Sequence, residues 1–164
     1  MHRRSVAVFD RFLSTLATVL DKAEAHCEAR KIKPEVILAA RLFPDMFPFT
    51  RQVQLACDFA VRGTARLAGV DPKGFPDTET SFAELKDRIS AARGYMGSFQ
   101  KSDFAHAPER PIHFKVGGRD MVLPGEEFLS FFALPQFFFH VTTAYDILRH
   151  NGVELGKRDY MGAP

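Results

Sequence analysis

His140 is the residue in this sequence best placed to do chemistry, because of what stands around it. Gln136 lies one turn before it and Thr143 three residues after. On a helix advancing ~100° per residue these three share a stripe with Leu129, Phe132, Phe139, Ile147 and His150. A polar group on an otherwise apolar, core-facing stripe needs a partner, since burying it unsatisfied costs on the order of 1–3 kcal/mol. An imidazole there can exchange a proton near neutral pH or hydrogen-bond to a ligand. His140 is therefore the candidate acid/base residue. Gln136 and Thr143 are candidate ligand-binding groups, as is Gln52, which flanks the apolar stripe of an earlier helix one turn from Phe49. The plainer alternative is a core histidine bonded to a helix backbone or a neighbouring side chain.

The other reactive residues carry less. Asp58 stands between apolar neighbours in Ala56-Cys57-Asp58-Phe59-Ala60, but it shares a stripe with Arg51, Gln54 and Arg62 opposite the apolar one. The spacing predicts a surface Asp58–Arg62 pair worth roughly 0.2–0.5 kcal/mol. His26 and Cys27 are adjacent on a helix and point about 100° apart, so they form no nucleophile–base dyad. His2, His106 and His113 fall in a tail, a loop and a hairpin, where solvation is expected. No CxxC, HExxH, P-loop or GxGxxG pattern occurs. Cys27 and Cys57, the only two cysteines, both lie in predicted helices, which argues for free thiols in a reducing compartment.

The elements that must hold these residues are mostly helical. A first helix is predicted from Ser5 to Ala29, with Phe9, Phe12, Leu13, Leu16, Val19, Leu20, Ala23 and Cys27 recurring three and four apart. Pro34 opens a short helical turn through Ala40. Asp45 is the expected N-cap of a second helix, with Pro48 in its first turn. Its stripe reads Phe49, Val53, Ala56, Ala60, Thr64 and Leu67, and Gly69 closes it. Ala56, Ala60 and Gly63 are small enough to admit a close neighbour. Ser81-Phe82-Ala83-Glu84 matches a capping box for a third helix with Phe82, Leu85, Ile89, Ala92, Met96 and Phe99 inward. Pro111–Val116 and Arg119–Leu123, joined by Gly117-Gly118, read as a β-hairpin that must pack on the helices. A fourth helix runs from near Pro124 to His150, and Pro135 inside it should bend it.

At 164 residues with 46% hydrophobic content and 17 Phe, the chain suits one domain with a large aromatic interior, an all-α four-helix bundle bearing a small hairpin. The 22 basic and 20 acidic residues are interspersed, which leaves no clustered basic face for nucleic acid. No stretch reaches the ~20 apolar residues of a membrane span. The basic start Met1-His2-Arg3-Arg4 is followed by Asp10 and Arg11 rather than an apolar run, so a cytoplasmic protein is expected. Phe131, Phe138 and Tyr145 recur on the outer side of the fourth helix. A helix apolar on two sides is covered on both. The hairpin or the Lys31–Phe47 connection is the favoured cover, and a homodimer partner is the alternative.

Several segments carry a resemblance across nearly the whole chain. Arg41-Leu42-Phe43-Pro44-Asp45-Met46, Arg51-Gln52-Val53-Gln54, Ala65-Arg66-Leu67-Ala68-Gly69 and Thr80-Ser81-Phe82-Ala83-Glu84-Leu85 are similar to a bacterial family of unknown function. So are the segments from Leu134 to Tyr145 and from Ile147 to Val153, and the closing Gly156-Lys157-Arg158-Asp159-Tyr160. That family is grouped with the DinB/YfiT-like metalloenzymes. The resemblance implies a four-helix bundle with a metal site between helices, and relatives that include thiol-dependent transferases and hydrolases. The usual ligand set it implies is one His from the second helix and a His-x-x-x-His pair from the fourth. Here the second helix has no His, Gln136 stands one turn before His140, and Ala144 one turn after. One imidazole and a neutral amide make a poor divalent site, which ordinarily takes three or four N, O or S ligands. The expectation is a degenerate metal site whose cleft binds a small molecule without a cofactor. A Zn- or Ni-dependent transferase or hydrolase centred on His140 is the alternative, and a dimeric interaction protein without catalysis is a third reading.

Overall fold

The computed structural model describes residues 1–162. It is mostly helical, with one two-stranded antiparallel sheet. The first helix, α1, spans Val6–Arg30, one residue later at each end than its periodicity predicts, and Lys31 stops it in the left-handed conformation. The predicted positions from Phe9 and Leu13 to Ala23 and Cys27 are buried, except that Phe12 lies half-buried, and Val6 and Thr15 are buried in addition. Pro34–Leu38 forms α2, as Pro34 in its first turn foretells.

The long helix α3 covers Phe49–Ala68 and closes at Gly69 with φ +79°. Its N-cap is Pro48 in extended geometry, and Asp45 lies outside the helix. Proline can hold that position because the first amides of a helix have no internal partner. The Phe49 amide instead reaches back to the Ala40 carbonyl at 2.8 Å. All six predicted core positions of α3 are buried. The small-residue face works as expected: a Cβ on Gly63 would sit 3.4 Å from Phe9 and from Ala133, at contact distance.

The expected solvent face of α3 is not one. Gln54 and Asp58 are buried with 4% exposure each. The predicted Asp58–Arg62 pair is present at 3.0 Å, but the Asp58 carboxylate is also held at 2.6 Å by Arg88, itself buried. Helix α3 packs on α1 and on the helices Phe82–Gly97 and Leu134–His150 at once, so its polar stripe is covered by a neighbour that supplies a cation.

Ser81 caps α4, Phe82–Gly97, with both halves of the predicted capping box formed. The hairpin comes next as β1, Pro111–Val116, and β2, Arg119–Pro124, with Val116 paired to Arg119. Its two-residue turn needs positive φ at both positions, and Gly117 (+55°) and Gly118 (+81°) supply it. Gly125 opens the next element where the chain crosses another segment: a Cβ there would lie 1.9 Å from the Ala107 carbonyl oxygen.

The predicted fourth helix is three joined pieces, α5 (Gly125–Phe128), a π-helical turn (Leu129–Ala133) and α6 (Leu134–His150). Pro135 has no N–H to give the carbonyl four residues back, and the chain answers with a wider turn where a bend was expected. The wider turn shifts the phase of α6 relative to the predicted stripe. Phe137 and Ala144 point inward, Phe139 is 56% exposed, and His150 is exposed, contrary to that stripe. A closing helix, α7 (Lys157–Met161), packs on α1.

Both cysteines are free and buried. Phe138 meets Phe12 of α1 edge-on at 4.8 Å, and Tyr145 meets Tyr160 of α7 at 5.7 Å. Two of the three aromatic residues proposed for a homodimer face are therefore covered within the chain, by α1 and α7. Neither expected cover, the hairpin nor the Lys31–Phe47 connection, makes these contacts. Phe131 alone stays 75% exposed.

Candidate functional site

His140 stands on α6 and Gln52 on α3, the helix with which α6 makes its most extensive contact. Both are buried, and His140 Nδ1 lies 2.7 Å from Gln52 Oε1. The roles in this bond are set by the rest of the Gln52 amide. Its Nε2 donates to the Phe47 carbonyl at 3.1 Å, which fixes the NH2 end there. Oε1 must then accept, so Nδ1 carries the imidazole proton and Nε2 keeps its lone pair. The ring stacks on Phe59 at 5.4 Å with planes 12° apart, and the Phe139 edge meets it at 5.2 Å.

Nε2 makes no hydrogen bond to the described residues. Among them, the fully enclosed side-chain polar atoms without partners are Thr64 Oγ1 and Arg88 Nε, so Nε2 retains contact with solvent. Burial, and secondarily the positive charge of Arg51, push the imidazole pKa down to about 4. His140 is thus neutral at pH 7, which corrects the expectation of a group titrating near neutrality. A neutral imidazole with a fixed Nδ1–H tautomer offers one basic lone pair at Nε2. It can accept a hydrogen bond or a proton, and it has no proton to donate from Nε2.

The other candidates divide. Thr143 is buried on the same stripe, but its hydroxyl donates to the Phe139 carbonyl at 2.7 Å, a local helix bond. Gln136 is half-buried and lines a shallow groove of about 230 Å³ with Phe131, Phe132, Pro135 and Phe139. That groove lies one turn before His140 on the helix. Phe132 links the two regions through Phe59, whose ring is 6.1 Å from Phe132 and stacked on His140.

A second polar centre goes beyond the sequence expectations. Arg88 of α4 binds Asp58 at 2.6 Å, Glu79 at 2.9 Å and Asp77 at 3.1 Å, and donates to the Pro76 carbonyl at 2.9 Å. Arg51 joins it through Asp77 and Gln54. The Cys57 thiol beside it is pushed up to about 12 by burial and is inert. Three guanidiniums (Arg51, Arg62, Arg88) meet three carboxylates (Asp58, Asp77, Glu79). This cluster pins the loop between α3 and α4 onto both helices. Its signal in the sequence is a cation at position 88 on the apolar stripe between Leu85 and Ile89, matched to an Asp set among apolar residues.

A family described as a domain of unknown function, DUF1993, matches residues 1–161. The chain belongs to that family. It is similar to a crystal structure of a DinB family member protein from Shewanella denitrificans, with 43% identity and a TM-score of 0.92. The alignment covers 99% of this chain and 92% of that one. No match was found among curated protein sequences.

The DinB label raises the question of a metal between the helices, and the donors at His140 do not fit one. Gln52 Oε1 is committed to the imidazole and Gln52 Nε2 to a carbonyl. No group of three or more His, Cys, Asp or Glu side chains among the described residues is disposed to hold a metal ion. Nε2 alone is far short of the three or four ligands a structural or catalytic zinc takes.

Proposed function

We propose that this chain, residues 1–164, is a single DinB-type four-helix-bundle domain of the cytoplasm that binds a small molecule at His140 without a resident metal. The observation that carries the reading is the Gln52–His140 hydrogen bond with its onward link to the Phe47 carbonyl. A core histidine would also bond one ring nitrogen to a neighbour; what favours a ligand is that this bond fixes the proton on Nδ1 and leaves Nε2 without a protein partner. The ligand brings a hydrogen-bond donor, or an acidic proton, to Nε2. Gln136 lies along its approach, and Phe139 and Phe59 provide apolar walls. Thr143 sets the turn of α6 that carries His140. If the bound molecule reacts, His140 is the base, and with a pKa of about 4 it removes only a strongly acidic proton.

Charge balance argues against nucleic acid, and among the described residues no helix is long and apolar enough to cross a membrane. The test combines a small-molecule screen by thermal shift with imidazole 15N NMR. A true ligand moves the His140 Nε2 resonance while Nδ1 stays protonated, and its effect is lost in His140→Gln. Hits that leave the imidazole unmoved, or that bind His140→Gln equally well, refute the proposal. A stoichiometric metal in tag-free protein, absent from that variant, would restore the metal-dependent reading.

A further inference from the structure

The hairpin carries a face that its packing does not use up. In the β1–β2 register Ile112 pairs with Leu123, Phe114 with Met121 and Val116 with Arg119, so these six side chains share one side of the sheet. At the base of the hairpin that side is buried, with Phe114 4.5 Å from Phe132 and 5.1 Å from Phe128. Toward the tip Val116 and Met121 emerge, 43% and 41% exposed. The opposite side of the sheet holds His113, Lys115, Asp120 and Val122, a mixture suited to water. A hairpin tip free on both faces is ordinarily polar on both. This one carries exposed apolar residues on both, Val122 (53% exposed) on the outer face and Val116 with Met121 on the face turned toward the π-helical turn.

Across the gap stand Phe131 and Phe132, both on that turn. Phe131 is 75% exposed, more than any other large apolar side chain among the described residues. π turns in helices concentrate at functional sites because the wider turn is retained at a cost. Between the two elements lies a cleft of about 590 Å³, within the range of small-molecule sites. Arg119 is its one charged lining residue, and its guanidinium forms no ion pair or hydrogen bond with the described residues. Lys115, the next cation on the hairpin, pairs with Asp120 on the other face. An apolar trough ending in one free guanidinium has the complement of an amphipathic anion.

We infer that this cleft binds a small amphipathic carboxylate, its apolar tail between Met121 and Phe131 and its carboxylate on Arg119. Arg recognises carboxylate with two parallel N–H donors, and the tail removes Val116, Met121 and Phe131 from water. The cleft shares Phe131 and Phe132 with the Gln136 groove, and the His140 imidazole lies beyond them, behind Phe59 and Phe139.

The probe is octanoate, titrated below its micelle concentration into the full chain and followed by methyl and aromatic NMR. Saturable shifts are expected at Val116, Met121 and Phe131, centred there and not on the His140 imidazole. Arg119→Gln should weaken octanoate by about tenfold, and 1-octanol, with the same tail and no charge, should bind as weakly to wild type. Phe131→Ala, at an exposed position that leaves the fold intact, should also weaken it. Non-saturable shifts, equal binding of octanol and octanoate, or shifts centred on His140 would each overturn the inference. So would a concentration-dependent dimer abolished by Phe131→Glu, which would make the cleft a contact between two copies of the chain.

Discussion

Lowering the pH should destabilise this protein through His140, beginning above the range in which carboxylates titrate. The folded pKa is about 4, against 6.5 for the free side chain. Between those values the unfolded chain holds a proton on His140 that the folded chain refuses. Stability therefore falls as pH drops below 6.5, and the loss is complete near pH 4. From pH 7.5 to pH 5 the two pKa values give a loss of about 2 kcal/mol, and the whole displacement is worth roughly 3 kcal/mol. The assay is urea unfolding at several pH values for wild type and for His140→Gln, which keeps an amide donor for Gln52 but cannot titrate. Subtracting one curve from the other removes the surface histidines and the acidic groups that both share. A difference growing by about 1–2 kcal/mol over that interval is expected. A flat difference, or a His140 imidazole seen by NMR to titrate near 6.5, would refute the burial and hydrogen-bond argument on which the candidate site rests.

Removing the cation of the buried cluster by Arg88→Met should cost about 3–5 kcal/mol, because Asp58 and Glu79 lose their partner inside the protein; chemical denaturation measures it, and a loss under about 1 kcal/mol would mean water replaces the guanidinium freely. Gln52→Leu should cost on the order of 1–3 kcal/mol by stranding Nδ1–H and the Phe47 carbonyl, and should let the two imidazole tautomers mix, which 15N shifts resolve. Gly125→Ala should destabilise by about 1–3 kcal/mol in thermal or chemical unfolding, since its Cβ meets the Ala107 backbone oxygen and the chain must shift. Native Cys57 should resist a thiol reagent at pH 8 and react only on unfolding, given a pKa pushed up to about 12 and complete burial; rapid labelling of the folded protein would show that the α3–α4 packing opens readily.

Local chemistry is legible in the residues. The capping box at Ser81, the Gly117-Gly118 hairpin turn, the stop at Gly69 and the apolar periodicity of α1 each depend on neighbours within a few positions, and each forms as the spacing predicts. His140 and Gln52 both stand out as polar residues near core stripes, though nothing local says that they bond to each other. Pro135 announces a disturbance in the last long helix, but its form as a π turn depends on what the widened turn can pack against. Within α6 the buried Phe137, His140, Val141, Ala144 and Leu148 still follow ~100° per residue, and the packing decides which side of the helix meets the core, leaving Phe139 outward. Asp58 escapes local reasoning for the same kind of cause. A helix surrounded on three sides has no solvent face, and whether a polar stripe is covered is a property of the neighbours. Short-range patterns thus suffice for α1, α3, α4, the hairpin and most of their ends, and they single out the two residues proposed for the site, but not α7 or the π turn. Which nitrogen of His140 carries the proton, which charges are buried and which aromatic face is left open are settled only by packing, because each turns on a partner distant along the chain.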